Sequence, residues 1–120
     1  MNKVHLIGNL TRDPEIRYTT SGTAVARITL AIDDGYGDKK RTDFPQVTIW
    51  GKTAENVANN LHKGSKVAVN GKIITNSYEK NGQKFYTTEV TADMYGGVEF
   101  LDKKQSGGQS NLMDSEEVPF

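Results

Sequence analysis

The sequence predicts an all-β domain with a single helix: a five-stranded barrel whose helix lies between strands three and four. Three observations predict it. Five stretches alternate apolar and polar residues with the period of a strand, one stretch has helical spacing, and Asn81-Gly82 marks a tight hairpin between the last two strands. A chain of 120 residues supports one core of ordinary size and no second one to match it.

The first predicted strand runs from Lys3 to Leu10, with Val4, Leu6 and Gly8 on one side and His5, Ile7 and Asn9 on the other. Thr11-Arg12-Asp13-Pro14 breaks it. From Thr23 to Ile32 the second strand turns Ala24, Ala26, Ile28, Leu30 and Ile32 to one face, and Arg27 and Thr29 to the other. Asp33 to Asp38 supplies turn residues and Lys39-Lys40-Arg41 a basic cluster, so this segment reads as a polar loop or hairpin tip. In the third strand, Phe44 to Trp50, Val47 and Ile49 point one way while Phe44, Gln46, Thr48 and Trp50 point the other. The helical spacing of Ala54, Val57, Ala58 and Leu61 follows, with Thr53 as expected N-cap, Glu55 in the first turn and Gly64 closing after Lys63. Strand four, Lys66 to Ser77, sets Val67, Val69, Gly71 and Ile73 against Ala68, Asn70, Lys72 and Ile74. Strand five, Lys84 to Ala92, sets Phe85, Thr87 and Glu89 against Tyr86, Thr88 and Val90. Val98 to Leu101 reads as a short edge segment. This is the element order of an OB barrel, in which the helix plugs one end.

The predicted organisation is a barrel over residues 1–102, a flexible linker over 103–112 that is polar up to Asn111, and an acidic tip over 113–120. Overall the charge is zero, with 15 bases and 15 acids. Asp114, Glu116 and Glu117 lie in the tip where no base accompanies them, so the body is mildly basic and the tail acidic.

Catalysis is poorly supplied. The absence of cysteine excludes disulfides, thiolate zinc sites and cysteine nucleophiles. His5 and His62 lie on different elements without zinc-type spacing, and neither a phosphate-binding glycine loop nor a G-x-S-x-G elbow is present. Asp13 with Glu15, and Asp33 with Asp34, are explained by turns and solvation. No enzyme activity, metal or cofactor is expected. With too short an apolar start for a signal peptide and no run of eighteen apolar residues, the expected location is cytoplasmic, without a membrane partner.

The positive signal is aromatic. Phe44 and Trp50 share the face opposite Val47 and Ile49, leaving two large rings outside the barrel unless something stacks on them. Tyr36 and Tyr78 extend the same surface. Arg17, Arg27, Lys39, Lys40, Arg41, Lys52, Lys72, Lys80 and Lys84 occupy the surrounding strands and loops. Rings for bases and cations for phosphates are what a single-stranded nucleic acid requires. The plainer alternative puts Trp50 in a subunit contact, Phe44 in the core and the bases on an ordinary solvated surface. Tyr18, Phe85 and Tyr86 are expected in the core or at subunit contacts. At the tip, Asp114, Glu116, Glu117, Val118, Pro119 and Phe120 combine acids, an extended backbone and a terminal ring, a peptide suited to a basic pocket with an apolar hole.

Met1 to Glu15 (MNKVHLIGNLTRDPE), Ser21 to Ala26, Trp50-Gly51-Lys52-Thr53-Ala54-Glu55, Lys63-Gly64-Ser65 and the ending Val118-Pro119-Phe120 closely resemble the bacterial single-stranded DNA-binding proteins. The resemblance implies an OB-fold homotetramer that coats single-stranded DNA without sequence preference, in the cytoplasm and associated with the nucleoid. It implies base stacking at Tyr36, Phe44, Trp50 and Tyr78, and recruitment of replication, recombination and repair proteins by residues 113–120. Three features depart from the family pattern: a short loop from Asp33 to Asp43, a short linker, and Ser115-Glu116-Glu117 where an aromatic and a run of aspartates are commoner. Such compactness also looks like versions carried by phages or mobile elements. Two other readings compete: an RNA-binding or scaffolding OB module, separable by DNA–RNA competition, and an OB-type enzyme or sugar binder, whose affinity would ignore salt.

Overall fold

The computed structural model describes residues 1–101; the expected disordered tail, the linker and the tip lie outside the described residues. Eight strands and one helix follow in the order β1 (Val4–Leu10), β2 (Glu15–Tyr18), β3 (Ala24–Asp34), β4 (Arg41–Asp43), β5 (Gln46–Trp50), α1 (Lys52–Asn60), β6 (Lys66–Lys80), β7 (Gln83–Ala92) and β8 (Val98–Phe100). Five of them close into a ring, β1-β3-β5-β7-β6 and back to β1. All pairs in the ring are antiparallel except β5–β7, which is parallel and registers only Val47 with Val90 and Thr48 with Thr91. A closed ring of five strands with one helix is the expected OB barrel.

Alternation decides the inside. Ala24, Ala26, Ile28 and Leu30 from β3, Val47 and Ile49 from β5, Val67 and Val69 from β6, and Val90 and Ala92 from β7 are buried together with Ala54, Val57 and Leu61 from α1 and its exit. Burying each of the valine, leucine and isoleucine side chains among them contributes about 1.5–3 kcal/mol. Val4 and Leu6 pack against this core, as their side of β1 requires.

Several boundaries differ from expectation, each for a local reason. β2 was not expected. Only Ile16 of its four residues is partly buried, so no alternation shows, yet all four pair with β3. β5 begins at Gln46 rather than Phe44, because Pro45 has no N–H for a ladder; its carbonyl instead accepts the N–H of Leu30. The segment between β3 and β5 is a hairpin tip with a short 3-10 turn at Gly37–Lys39, and β4 pairs back onto β3. The cap of α1 is Gly51, not Thr53, and no side chain caps it. The helix stops at Asn60, before Gly64. The turn beyond it is held by the Ser65 hydroxyl, which accepts from the His62 N–H, and by Asp13, which accepts from the Lys63 N–H.

The largest departure is in β6. Residues up to Gly71 pair with β1, and from Gly71 onward the strand pairs with β7 over ten registered positions. Past Gly71 it leaves the barrel, so β6 and β7 form an arm and Ile73, which shares its side of the strand with the buried Val67 and Val69, is exposed. Gly71 stands at the crossing. A Cβ there would lie 2.1 Å from the Thr91 carbonyl oxygen, so any side chain would push the two strands apart. At the arm's root, the Asn2 side chain brackets Ile73, donating to its carbonyl and accepting from its N–H. At its tip Asn81 and Gly82 both have positive φ, 54° and 79°, as a type I′ two-residue turn demands.

Candidate functional site

Residues registered opposite one another project to the same side of a sheet, so the pairing defines the outward face strand by strand. Arg17 registers with Val25 and Val25 with Trp50; Glu15 registers with Arg27 and Arg27 with Thr48. Thr48 continues to Thr91, which leads to Lys72 on β6. Two positions along β7 lies Glu89, and Phe85, registered with Tyr78, is on the same side again. One continuous outward face therefore carries Arg17, Arg27, Trp50, Lys72, Tyr78 and Lys80 of the expected residues. It adds Phe85 and Glu89, which were not expected there.

Two aromatic surfaces stand on this face. Trp50 ends β5 with 42% of its area exposed. Tyr78 and Phe85 stack on the arm with ring centroids 5.4 Å apart and an interplanar angle of 23°. Both remain accessible, at 51% and 39%, so the pair offers a broad platform rather than a closed cluster. Between the two surfaces the face is polar. The Thr48 hydroxyl donates to Glu89 Oε1 at 3.1 Å, and Arg27 Nη2 lies 3.6 Å from the same oxygen. Beside Arg27, Glu15, Arg17, Val25 and Ala26 line a shallow cavity between β2 and β3.

Phe44 and Tyr36 belong to the excursion between β3 and β5. Phe44 precedes by two residues Gln46, whose partner Thr29 follows Arg27 on the outward side, and it is exposed. Tyr36 stands just before the 3-10 turn, almost wholly exposed. In the same excursion Lys40 lies 4.0 Å from Asp33 and the Arg41 Nε donates to Asp43 at 2.9 Å. Both are exposed pairs of the kind that contribute little and exchange partners readily. Lys39 lies within the 3-10 turn and Lys52 opens α1; no strand register ties either to the face.

Lys84 is not brought to the face. It registers with Glu79 on the reverse side of the arm, where its ammonium lies 5.8 Å from the centroid of Tyr86. Tyr86, Phe85 and Tyr18 are all exposed, which rules out the core as their place and leaves the subunit contact that was the other half of the expectation. Tyr18 reaches α1 through its hydroxyl, which donates to Glu55 at 3.3 Å. The signal for Phe85 and Glu89 was present in the alternation of β7: once Val90 is inside, both must be outside.

His5 pairs with Asn70 on the side of β1 away from the core, and no cluster of three potential metal ligands occurs among the described residues. No described helix is long and apolar enough to cross a membrane.

A closed five-stranded barrel with stacked rings and guanidinium groups on one outward face defines an OB-type ligand-binding domain. Residues 1–101 match the single-strand binding protein family, and the chain belongs to that family. It is 48% identical over 112 residues to single-stranded DNA-binding protein 3 of Listeria innocua, covering 89% of this chain and 68% of that protein. With the single-stranded DNA-binding protein of Clostridium tetani it shares 42% identity over 125 residues, covering 100% of this chain and 86% of that one. Single-stranded DNA-binding protein A of Bacillus subtilis is 43% identical over 115 residues, or 92% of this chain and 65% of its own length. Against several relatives, including that of Bacillus cereus, the chain spans less than two thirds of the relative's length.

Proposed function

We propose that this protein binds single-stranded DNA without sequence preference, stacking bases on Trp50, on the Tyr78–Phe85 platform and on Phe44 and Tyr36. The observation that carries the reading is the single outward face on which register aligns Arg17, Arg27, Trp50, Lys72 and Tyr78. Every base has a π-face, so stacking tolerates any sequence, and each stacked base contributes about 1–3 kcal/mol. Arginine and lysine side chains meet the phosphates and make the affinity depend on salt. Lys39, Lys40, Arg41 and Lys52 border the same surface from the loops, and Lys80 extends it toward the arm's tip. Lys84 serves at most the reverse side. Family membership and the names of the relatives support the same reading.

The remaining parts follow the resemblance. The barrel over residues 1–102 acts as the binding domain, 103–112 as a tether, and 113–120 as an acidic peptide that recruits replication, recombination and repair proteins. The working form is a homotetramer in the cytoplasm, and no catalytic step is involved.

The test uses Trp50, the one tryptophan of the chain. Its fluorescence is expected to be quenched by oligo-dT, less so as salt rises, and not by duplex of equal length. No quenching and no shift in a gel by the single strand would remove the function. The tip is tested separately. Deleting residues 113–120 is expected to leave affinity for oligo-dT unchanged or slightly tighter, since a negative peptide competes with phosphate for basic surface, while retention of repair proteins on a column of the protein is lost. A severalfold loss of DNA binding on that deletion contradicts the assignment.

A further inference from the structure

Two acids, Glu15 and Glu89, stand on a face otherwise suited to anions, and Glu89 is the one in its middle. Glu89 lies on β7 between the two aromatic surfaces, with its side chain only 11% exposed. Its Oε1 takes the hydroxyl hydrogen of Thr48, itself buried, and faces Arg27 Nη2 at 3.6 Å. The three residues come from β7, β5 and β3, across the parallel seam of the barrel. Arg27 remains half exposed. A guanidinium has five N–H groups, so the contact with Glu89 leaves most of them for a ligand.

We propose that Glu89 is a positioning residue for single-strand binding: anchored by Thr48, it holds the Arg27 guanidinium over the β3–β5–β7 junction, where the strand passes between Trp50 and the Tyr78–Phe85 platform. This rests on the function proposed above. Two effects of Glu89 oppose each other. Its charge repels phosphate, and its hydrogen bond and ion pair restrict an arginine that otherwise loses much rotamer freedom on binding. The geometry favours the second. The carboxylate is covered by the cation it holds, and at about 0.15 M salt charges more than about 8 Å away are screened.

The two effects predict opposite signs. If charge alone mattered, Glu89→Met would tighten binding. As a positioning residue, Glu89→Met at about 0.15 M salt weakens binding to oligo-dT by about three- to tenfold, the loss expected when one charge-assisted contact is no longer prearranged. Thr48→Val, close in shape and neutral, weakens it in the same direction by less. The decisive readout is the Arg27→Gln background. There Glu89 has no guanidinium to hold and its charge is not offset, so Glu89→Met leaves binding unchanged or tightens it. Equal weakening in both backgrounds would indicate general damage and overturn the proposal, as would unchanged or tighter binding by Glu89→Met with Arg27 present. Should Glu89→Met prove unfolded in a thermal scan, Thr48→Val with and without Arg27→Gln gives the same comparison, and a loss that persists without Arg27 overturns it. Failure of the unmodified protein to bind oligo-dT removes the underlying function itself, whereas binding that is indifferent to Arg27→Gln removes only this inference.

Discussion

Replacing Trp50 and Tyr78 together by alanine is expected to cost about 2–6 kcal/mol of binding free energy for oligo-dT, the sum of about 1–3 kcal/mol for each lost stacking surface. Additivity is expected because the two rings share no partner. Trp50 registers with Val25 on β3, Tyr78 stacks on Phe85 of the arm, and the Thr48–Glu89 contact lies between them. The single substitutions are expected to differ. Among the described residues Trp50 has no stacked ring beside it to take over, but Phe85 remains after Tyr78→Ala, so Tyr78→Ala falls at the low end and Tyr78→Ala with Phe85→Ala restores the full loss. Both rings are substantially exposed, so the variants should melt within a few degrees of the parent. Titration by gel shift provides the readout once Trp50 is gone. Affinity within twofold of the parent, in a folded double variant, would place the bases elsewhere.

Gly71→Ala is expected to produce a large loss of stability, because it forces two barrel strands apart. The added carbon would stand 2.1 Å from the Thr91 carbonyl oxygen and 2.9 Å from its carbon, and both are backbone atoms. No side-chain rotation relieves the contact, so β6 and β7 must separate where Gly71 registers with Ala92 and Lys72 with Thr91. Overpacking of this kind costs about 1–3 kcal/mol or more. For a domain of this size, each kcal/mol lowers Tm by roughly 4–8 °C. The damage extends to binding, because Thr91 also registers with Thr48 across the seam. A thermal scan checks the first effect, and an unchanged Tm would mean that the crossing is looser than the backbone geometry requires.

Much of this fold was legible in the sequence because the barrel obeys a simple period. The alternation of Ala24, Ala26, Ile28 and Leu30 against Arg27 and Thr29 is the alternation of buried and outward residues in β3, and Asn81-Gly82 forms the turn its chemistry demands. Phe44 and Trp50 are exposed as their parity requires. What escaped was not periodic. β2 owes its existence to pairing with β3 rather than to an apolar face of its own. The bend at Gly71 reflects the approach of a strand distant in sequence, which no local pattern records. Capping by Gly51 in place of Thr53 follows from how β5 hands the chain to α1. At the site, the outward rings of Phe44 and Trp50 are legible from parity, whereas Phe85, expected in the core or at a subunit contact, faces outward because Val90 on the same strand faces in. Glu89 is not legible from parity alone: an acid on a cationic face is meaningful only once Thr48 and Arg27 are seen to surround it.

The parallel seam between β5 and β7 has a consequence for how the chain reaches this shape. With two registered positions it equals the β1–β3 junction as the shortest of the ring, and it joins strands separated by the whole of α1 and β6. Closing a long loop for a few hydrogen bonds is entropically slow to be rewarded. Hairpins such as β2–β3 and β6–β7 need only local contacts and form early. The barrel is therefore expected to shut last along the line where Thr48 meets Thr91, and the same line to be the first to come apart in partial unfolding, which hydrogen exchange at Thr48 and Thr91 would read. A strand lying across Arg27, Thr48 and Glu89 spans that line, so ligand and late folding step act on one latch.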